Sequence, residues 1–186
     1  DLGYVDYFFN DFTVDLWVKP MNDGVLLANR QKEYDKGAKG WLLFVENGTL
    51  KFRYSPSNQF NKPTYEPASD EQKTIEGGKL NMGEWAHVAI TEKRDGSIRL
   101  YVNGMLTGEG ERYRREHTLN NSTYLSLFAD AFEYAPIEAA VDELKIWNYE
   151  LNEEEIRREM YSVNVDNRNG LVAYYAFNGD NLSGDL

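Results

Sequence analysis

The sequence predicts an all-β fold, an antiparallel sandwich of two sheets with one short peripheral helix. Three features support this: short segments of alternating apolar and polar residues, Asn-Gly and Asp-Gly pairs between them, and a single stretch with helix-capping residues. Alternation with a period of two is typical of strands that bury one face, and these dipeptides favour hairpin turns. Many short strands joined by tight turns favour a sandwich over βαβ units.

The strands can be placed in order along the chain. Residues 12, 14, 16 and 18 are apolar and alternate with polar residues or Trp17, and Pro20 ends this first strand. Asn47-Gly48 and Asp95-Gly96 predict two hairpins, and Asn103-Gly104 predicts a further turn because these residues tolerate positive φ. The predicted strands are 12–18, 41–45, 50–54, 85–91, 98–102, 105–106, 124–128, 141–147 and 171–177.

One helix and two long connections complete the pattern. Asn152 followed by Glu155 matches a capping box, which predicts a short helix at 152–160. The connections, 55–84 and 108–123, are long for a compact domain. Connections of this length are usually functional, mobile or contain an unrecognised strand, and the first is a candidate for such a strand near 72–75.

Composition limits the possible partners. The 186 residues include 20 Lys and Arg against 31 Asp and Glu, so the net charge is −11. This charge argues against nucleic acid and anionic membrane surfaces, which attract basic proteins. The sequence has no apolar stretch of the roughly 20 residues that a membrane helix needs, and it has no Cys for disulfides or thiolate chemistry. Residues 1–186 are expected to form a single domain.

Three blocks of the sequence together resemble a known family. Residues 12–20, residues 83–89 with 100–104, and residues 141–148 are similar, in the same order, to core strands of laminin G-like jelly-roll modules. These modules belong to the concanavalin A-like lectin/glucanase superfamily. The resemblance implies a jelly roll, a calcium ion at the sandwich rim in many members, and a location that is extracellular, cell-surface or periplasmic.

The C-terminal segment leaves two alternatives open. Residues 170–179 resemble a segment that usually opens such modules, although here they come last. Residues 171–186 are therefore either a closing strand of this sandwich, beside a short N-terminal strand at 4–9, or the start of a following module.

Catalysis is not expected. The glucanases of this fold use two carboxylates that project from the same face of one strand. Asp142 and Glu143 are adjacent, so on a regular strand they would point to opposite faces. The two histidines are His87, in a position that is usually structural in the family, and His117, in a charged loop.

A calcium site is one interpretation of Asp142. Its parity matches Leu144 and Ile146, which places its carboxylate on the core side of a regular strand. A buried carboxylate needs donors or a cation, so it is expected to bind backbone N–H groups or calcium. Asp130 and Glu133 in the preceding loop are the candidate co-ligands.

Aromatic residues in the long loops suggest a ligand surface. Sugars stack on exposed aromatic rings while amides and carboxylates bind their hydroxyl groups. The candidate ligand-binding residues are Tyr65, Tyr113, Phe132 and Tyr134, and at least two of the three loops that carry them are expected to meet at one rim of the sandwich. The alternative is the outer sheet face, where strand parity places Trp17 and Arg99.

The sequence thus predicts a non-catalytic carbohydrate-binding module of a larger secreted or surface-attached protein that handles glycans. The alternative is a protein-interaction or structural spacer module of an adhesion-type extracellular protein. Exposed rings gathered in an open groove would favour the glycan, whereas rings that are all packed would favour the spacer.

Overall fold

A computed structural model describes residues 11–32, 38–55, 73–111, 123–129, 135–163 and 168–178. Within these ranges the chain forms eleven strands and one helix. The strands are β1 (Phe12–Pro20), β2 (Gly24–Lys32), β3 (Ala38–Glu46), β4 (Thr49–Ser55), β5 (Lys73–Lys79), β6 (Ala86–Glu92), β7 (Ser97–Val102), β8 (Met105–Glu111), β9 (Ser126–Leu127), β10 (Ala139–Trp147) and β11 (Leu171–Tyr175), and the helix is α1 (Glu153–Glu159).

The strands form two antiparallel sheets. One sheet has six strands in the order β11-β10-β1-β6-β7-β8, and the other has five in the order β5-β4-β3-β2-β9. The predicted all-β sandwich with one short helix is therefore confirmed. The apolar residues of β1 at 12, 14, 16 and 18 are fully buried between the sheets. The Phe12 ring stacks on Trp41 of the opposite sheet with 6.2 Å between ring centroids.

The turns and the helix follow their local sequence. Asn47 and Gly48 both have positive φ, 52° and 67°, as the hairpin prediction requires. The capping box of α1 is present: Glu155 N donates to Asn152 Oδ1 at 3.0 Å, and Asn152 N donates to Glu155 Oε2 at 2.8 Å.

Two strands of the five-stranded sheet show the limits of the alternation pattern. The sequence did not predict β2, because residues 25–28 form a continuous apolar run that is buried on both faces. In such a run no polar residue marks the second face. The strand suspected near 72–75 is confirmed as β5, in which Ile75 joins the core between the sheets.

The C-terminal segment extends the six-stranded sheet. Strand β11 pairs with β10, with Leu144 opposite Tyr175 and Ile146 opposite Ala173. This is the position that the closing-strand alternative requires for residues 171–175. The proposed N-terminal partner at 4–9 lies outside the described residues, and the assignment of 1–186 to one domain stays a prediction.

The outer face of the six-stranded sheet carries a second layer. Helix α1 and the chain before it cover part of this face, and a small apolar cluster forms beneath them. Its buried members are Ala89, Tyr101, Trp147, Leu151 and Ile156. Burial raises the pKa of the Tyr101 phenol above its ordinary value, as expected for a group that loses water contact. Among the described residues, the sandwich therefore has an inner core and an outer layer over part of the six-stranded sheet.

A buried carboxylate lies at the centre of this outer layer. Asp15 on β1 is fully buried, and its Oδ2 accepts a hydrogen bond from Trp147 Nε1 at 2.8 Å. Its Oδ1 lies 3.1 Å from His87 Nε2 and 3.9 Å from Lys145 Nζ. Since Trp147 and Lys145 belong to β10 and His87 to β6, Asp15 connects both strands that flank β1.

Lys145 extends this network to the helix. Its fully buried ammonium group donates to the carbonyl oxygen of Glu159 at 3.0 Å. The Glu159 carboxylate, also buried, is paired with Arg158 and Arg168. Sheet and helix are thus joined by a hydrogen bond from a buried ammonium group to a backbone carbonyl, and the buried carboxylate of Glu159 is compensated by two partly exposed arginines, since a buried ion needs such partners.

We predict that Asp15→Ala lowers the free energy of unfolding by about 3–5 kcal/mol, because it removes the acceptor of buried Trp147 Nε1 and one of the two carboxylates near buried Lys145. Urea denaturation followed by tryptophan fluorescence measures this change. Asp11→Ala is the control, since half-buried Asp11 accepts a solvent-exposed hydrogen bond from Arg94 N at 2.6 Å, and its loss should cost no more than about 1 kcal/mol. Equal losses in the two variants would contradict the role given to Asp15.

Candidate functional site

An open groove lies on the outer face of the six-stranded sheet, beyond the C-terminal end of α1. Its volume is about 490 Å³, and pockets for small molecules usually measure about 300–1,000 Å³. The lining residues are Trp17, Trp85, Asp142, Glu143, Val163 and Asn178. They come from β1, β10, the residue before β6 and the segments that follow α1 and β11. The groove is therefore assembled from distant parts of the chain.

Two tryptophans give the groove its aromatic character. Trp17 is half-buried, and its Nε1 donates to the carbonyl oxygen of Met160 at 2.9 Å. Its ring meets the His87 ring edge to face, with 5.5 Å between centroids, so its position is fixed from two sides. Trp85 keeps 46% of its surface exposed. The groove thus combines one anchored ring with one open ring.

A β-bulge in β10 brings two carboxylates to the same groove. On β1, Trp17 pairs with Asp142 and Asp15 pairs with Lys145. Two residues of β10, Glu143 and Leu144, therefore lie opposite the single residue Leu16 of β1. Glu143 has a φ of 54°, and this left-handed conformation shifts the alternation of side chains by one residue. Val141 and Leu144 therefore both pack on the inner core, while Asp142 and Glu143 both line the groove.

This bulge corrects two expectations. Asp142 does not share a face with Leu144, so its carboxylate does not lie on the core side. Asp142 and Glu143 also do not point to opposite faces, so strand parity does not separate them. Both expectations assumed a regular strand, and a bulge inverts the parity of every residue beyond it.

The two carboxylates have different surroundings. Asp142 is half-buried, and its Oδ1 accepts a hydrogen bond from Glu143 N at 2.9 Å. Glu143 is 7% exposed, and its Oε2 accepts from the Tyr174 hydroxyl at 2.7 Å and lies 4.0 Å from Lys145 Nζ. Within the described part of the chain, Asp142 forms no ion pair. Asp142 is thus the more available of the two acceptors.

The loop residues predicted to bind ligand or metal lie outside the described residues. These are Tyr65, Tyr113, Phe132, Tyr134, Asp130 and Glu133. Two of the three loops start from the same end of the sandwich, because the Tyr54 hydroxyl at the end of β4 donates to the carbonyl oxygen of Glu111 at the end of β8, at 2.6 Å. Among the described residues, no three acidic or histidine side chains are grouped to hold a metal ion. The ligand and calcium roles of these residues stay predictions.

The sheet-face alternative fits the groove in part. Trp17 lines it, as that alternative requires. Arg99 lies on the same face but is paired with Glu109 at 3.0 Å and with Glu150 at 2.5 Å, and it does not line the groove. His87 is buried against Asp15, which agrees with a structural role.

Sequence reasoning did not assign Trp85, Glu143, Val163 or Asn178 to a site. A signal for Trp85 was present, because it shares the parity of His87 on β6 and therefore the outer face that Trp17 occupies. Val163 and Asn178 follow α1 and β11 in irregular segments. No periodicity marks such positions, so only the tertiary structure brings them to the groove.

A family model for the concanavalin A-like lectin/glucanase superfamily, of the laminin G type, matches residues 4–157. The chain belongs to this superfamily. No curated protein gives a significant match to it. Within the described residues, no helix has both the length and the apolar character that crossing a bilayer demands.

Several solved structures share the fold of this superfamily member. A candidate carbohydrate-binding protein from Bacteroides ovatus is 17% identical with a TM-score of 0.66, and the alignment covers 93% of this chain and 47% of that one. A heptameric SAP-like pentraxin from Limulus polyphemus is 18% identical with a TM-score of 0.57, covering 80% and 68%. The binding domain of botulinum neurotoxin DC, in complex with SialylT, is 14% identical with a TM-score of 0.57, covering 81% and 35%. The chain thus spans about half of the bacterial protein and about a third of the toxin chain, and at these identities the likeness shows the fold.

The bulge predicts losses of stability of different size for substitutions at two nearby positions of β10. Asp142→Ala should lower the free energy of unfolding by no more than about 1 kcal/mol, because it removes one hydrogen bond at a half-exposed position. Leu144→Ala should lower it by about 2–5 kcal/mol, because it opens a cavity in the inner core. Chemical denaturation of both variants tests the assignment. A larger loss for Asp142→Ala would contradict the orientation described for the bulge.

Proposed function

We propose that this domain is a non-catalytic carbohydrate-binding module and that the groove is its sugar site. The observation that carries the proposal is Trp85, an exposed indole beside two carboxylates and the amide of Asn178. Monomeric proteins usually bury such a ring, and an exposed one in a groove is typical of a binding site. Export of the parent protein to the periplasm, the cell surface or the medium is part of the proposal, in keeping with the resemblance to laminin G-like modules.

The groove offers the two types of contact that a sugar needs. The apolar C–H face of a pyranose can stack on the open Trp85 ring, while anchored Trp17 forms a second wall. Hydroxyl groups at the edge of the sugar can donate to Asp142 and exchange hydrogen bonds with Asn178. Because Trp17 is already held in place, little side-chain freedom is lost there on binding.

The comparisons support this proposal at the level of the fold. Two of the similar structures are described as a candidate carbohydrate-binding protein and as a toxin binding domain in complex with SialylT. The fold also supports enzymes, so function must be argued from the site. A structural calcium ion held by Asp130, Glu133 and Asp142 is an alternative use of Asp142, because a cation there would neutralise its carboxylate. Sugar binding measured with and without EDTA tests this alternative.

We predict that Trp85→Ala weakens glycan binding at least about tenfold, because it removes the stacking surface of a site with few other apolar contacts. A glycan array identifies the ligand, and isothermal titration calorimetry of wild type and variant measures the change. Tyr124→Ala is the matched control, since Tyr124 is an exposed aromatic residue beside the five-stranded sheet and outside the groove.

The two variants separate the groove from the rest of the surface. Loss of affinity in Trp85→Ala with unchanged affinity in Tyr124→Ala supports the groove. Unchanged affinity in both would move the site elsewhere, for example to the loops that carry Tyr65 and Tyr113. Unfolding curves of both variants should match those of the wild type, which excludes general destabilisation.

The non-catalytic part of the proposal rests on the state of Glu143. Most glycosidases use a pair of carboxylates in one groove for catalysis. However, Glu143 is only 7% exposed and its Oε2 accepts from the Tyr174 hydroxyl, so at most its Oε1 is left for a glycosidic bond. We predict that the domain releases no reducing ends from the glycans that it binds. If the wild type releases reducing ends and the Asp142→Asn and Glu143→Gln variants do not, the groove is catalytic.

A further inference from the structure

We propose that the groove selects uncharged sugars and rejects sugars that carry a carboxylate, such as sialic and uronic acids. This inference rests on the proposed function, because it names the class of sugar that the same groove would take. It follows from the charges in and under the groove and from the hydrogen-bonding capacity of the groups that line it.

The charge of the groove is set by Asp142. Lys145 lies near the lining residue Glu143, but it is fully buried, 4.0 Å from Glu143 and 3.9 Å from Asp15. One ammonium group therefore serves two carboxylates beneath the groove. Asp142 has no ion pair within the described part of the chain, so its negative charge faces the groove uncompensated.

Among the residues that the structure describes, the other cations on this face are paired or lie outside the lining of the groove. Arg158 and Arg168 are paired with the buried carboxylate of Glu159, and Arg99 is paired with Glu109 and Glu150. Lys19 follows Trp17 on the outer face of β1 but does not line the groove. With a net charge of −11, the chain as a whole adds to the repulsion of an anion that approaches the groove.

Hydrogen bonding leads to the same selection. An ionised carboxylate accepts hydrogen bonds and donates none. Sugar hydroxyl groups donate, so a neutral sugar can form charge-assisted hydrogen bonds with Asp142. The carboxylate of an acidic sugar also only accepts hydrogen bonds. Next to Asp142 it would be repelled by the like charge, and neither group could donate a hydrogen bond to the other.

Matched pairs of glycans test this inference. Each pair contains a neutral oligosaccharide and the same oligosaccharide with a terminal sialic or uronic acid, immobilised at equal density. Binding of the wild type, Asp142→Asn and Trp85→Ala is measured at low and at high salt. Asp142→Asn keeps the size of the side chain and removes its charge. Glu109→Gln is the control, because it removes an exposed carboxylate on the same sheet that does not line the groove.

We expect the wild type to bind the neutral member at least about tenfold more tightly than its acidic partner at low salt. Asp142→Asn should reduce this ratio about threefold or more, high salt should reduce it in the wild type, and Glu109→Gln should leave it unchanged. If the wild type binds the acidic members equally or more tightly and Trp85→Ala abolishes that binding, the proposed selectivity is wrong but the groove is still the sugar site. Absence of binding to every member would overturn the proposed function itself.

Discussion

The carboxylate of Asp15 holds the outer face of the six-stranded sheet together. It bonds to Trp147 and His87 and lies near Lys145, so the central strand β1 is joined by side chains to both neighbours as well as by backbone pairing. A fully buried carboxylate is tolerated only where donors and a cation meet it. The outer layer can form only when these partners are in place, and α1 is attached to the same network through Lys145 and Glu159.

The groove lies where the described part of this outer layer ends. Helix α1 and its apolar cluster cover one part of the sheet, and the backbone after the helix holds Trp17 through Met160. Beyond that point no other described element covers the sheet, and the bulge in β10 turns two carboxylates toward the groove. A regular β10 would have left one of these carboxylates in the inner core. Burying an unpaired carboxylate there would lower the free energy of unfolding by several kcal/mol. The bulge therefore reconciles two adjacent acidic residues with a strand that must also bury Val141 and Leu144.

Membership of the concanavalin A-like superfamily explains the scaffold but does not name the ligand. The family match covers residues 4–157, whereas Val163 and Asn178 of the groove lie beyond it. Part of the candidate site is thus contributed by chain outside the matched region, including the segment that follows β11. The class of ligand has to be inferred from residues of this chain, above all the charge of Asp142 and the exposed ring of Trp85.

The sequence by itself determined the elements that are stabilised by interactions between residues close together in the chain. Alternation along β1, the Asn47-Gly48 turn and the Asn152–Glu155 capping box all depend on residues within one strand, turn or helix end, and each is found where it was predicted. It could not reveal β2, because a run that is buried on both faces has no period of two. The sequence also identified Trp17 as an outward-facing residue, but not its companions in the groove. Only the tertiary structure decided which way Asp142 and Glu143 point, because a bulge arises from pairing with β1 and leaves no mark in the residues of β10 alone. It likewise decided the meeting of Trp85, Val163 and Asn178, since contacts between residues far apart in sequence depend on how the strands and the helix pack.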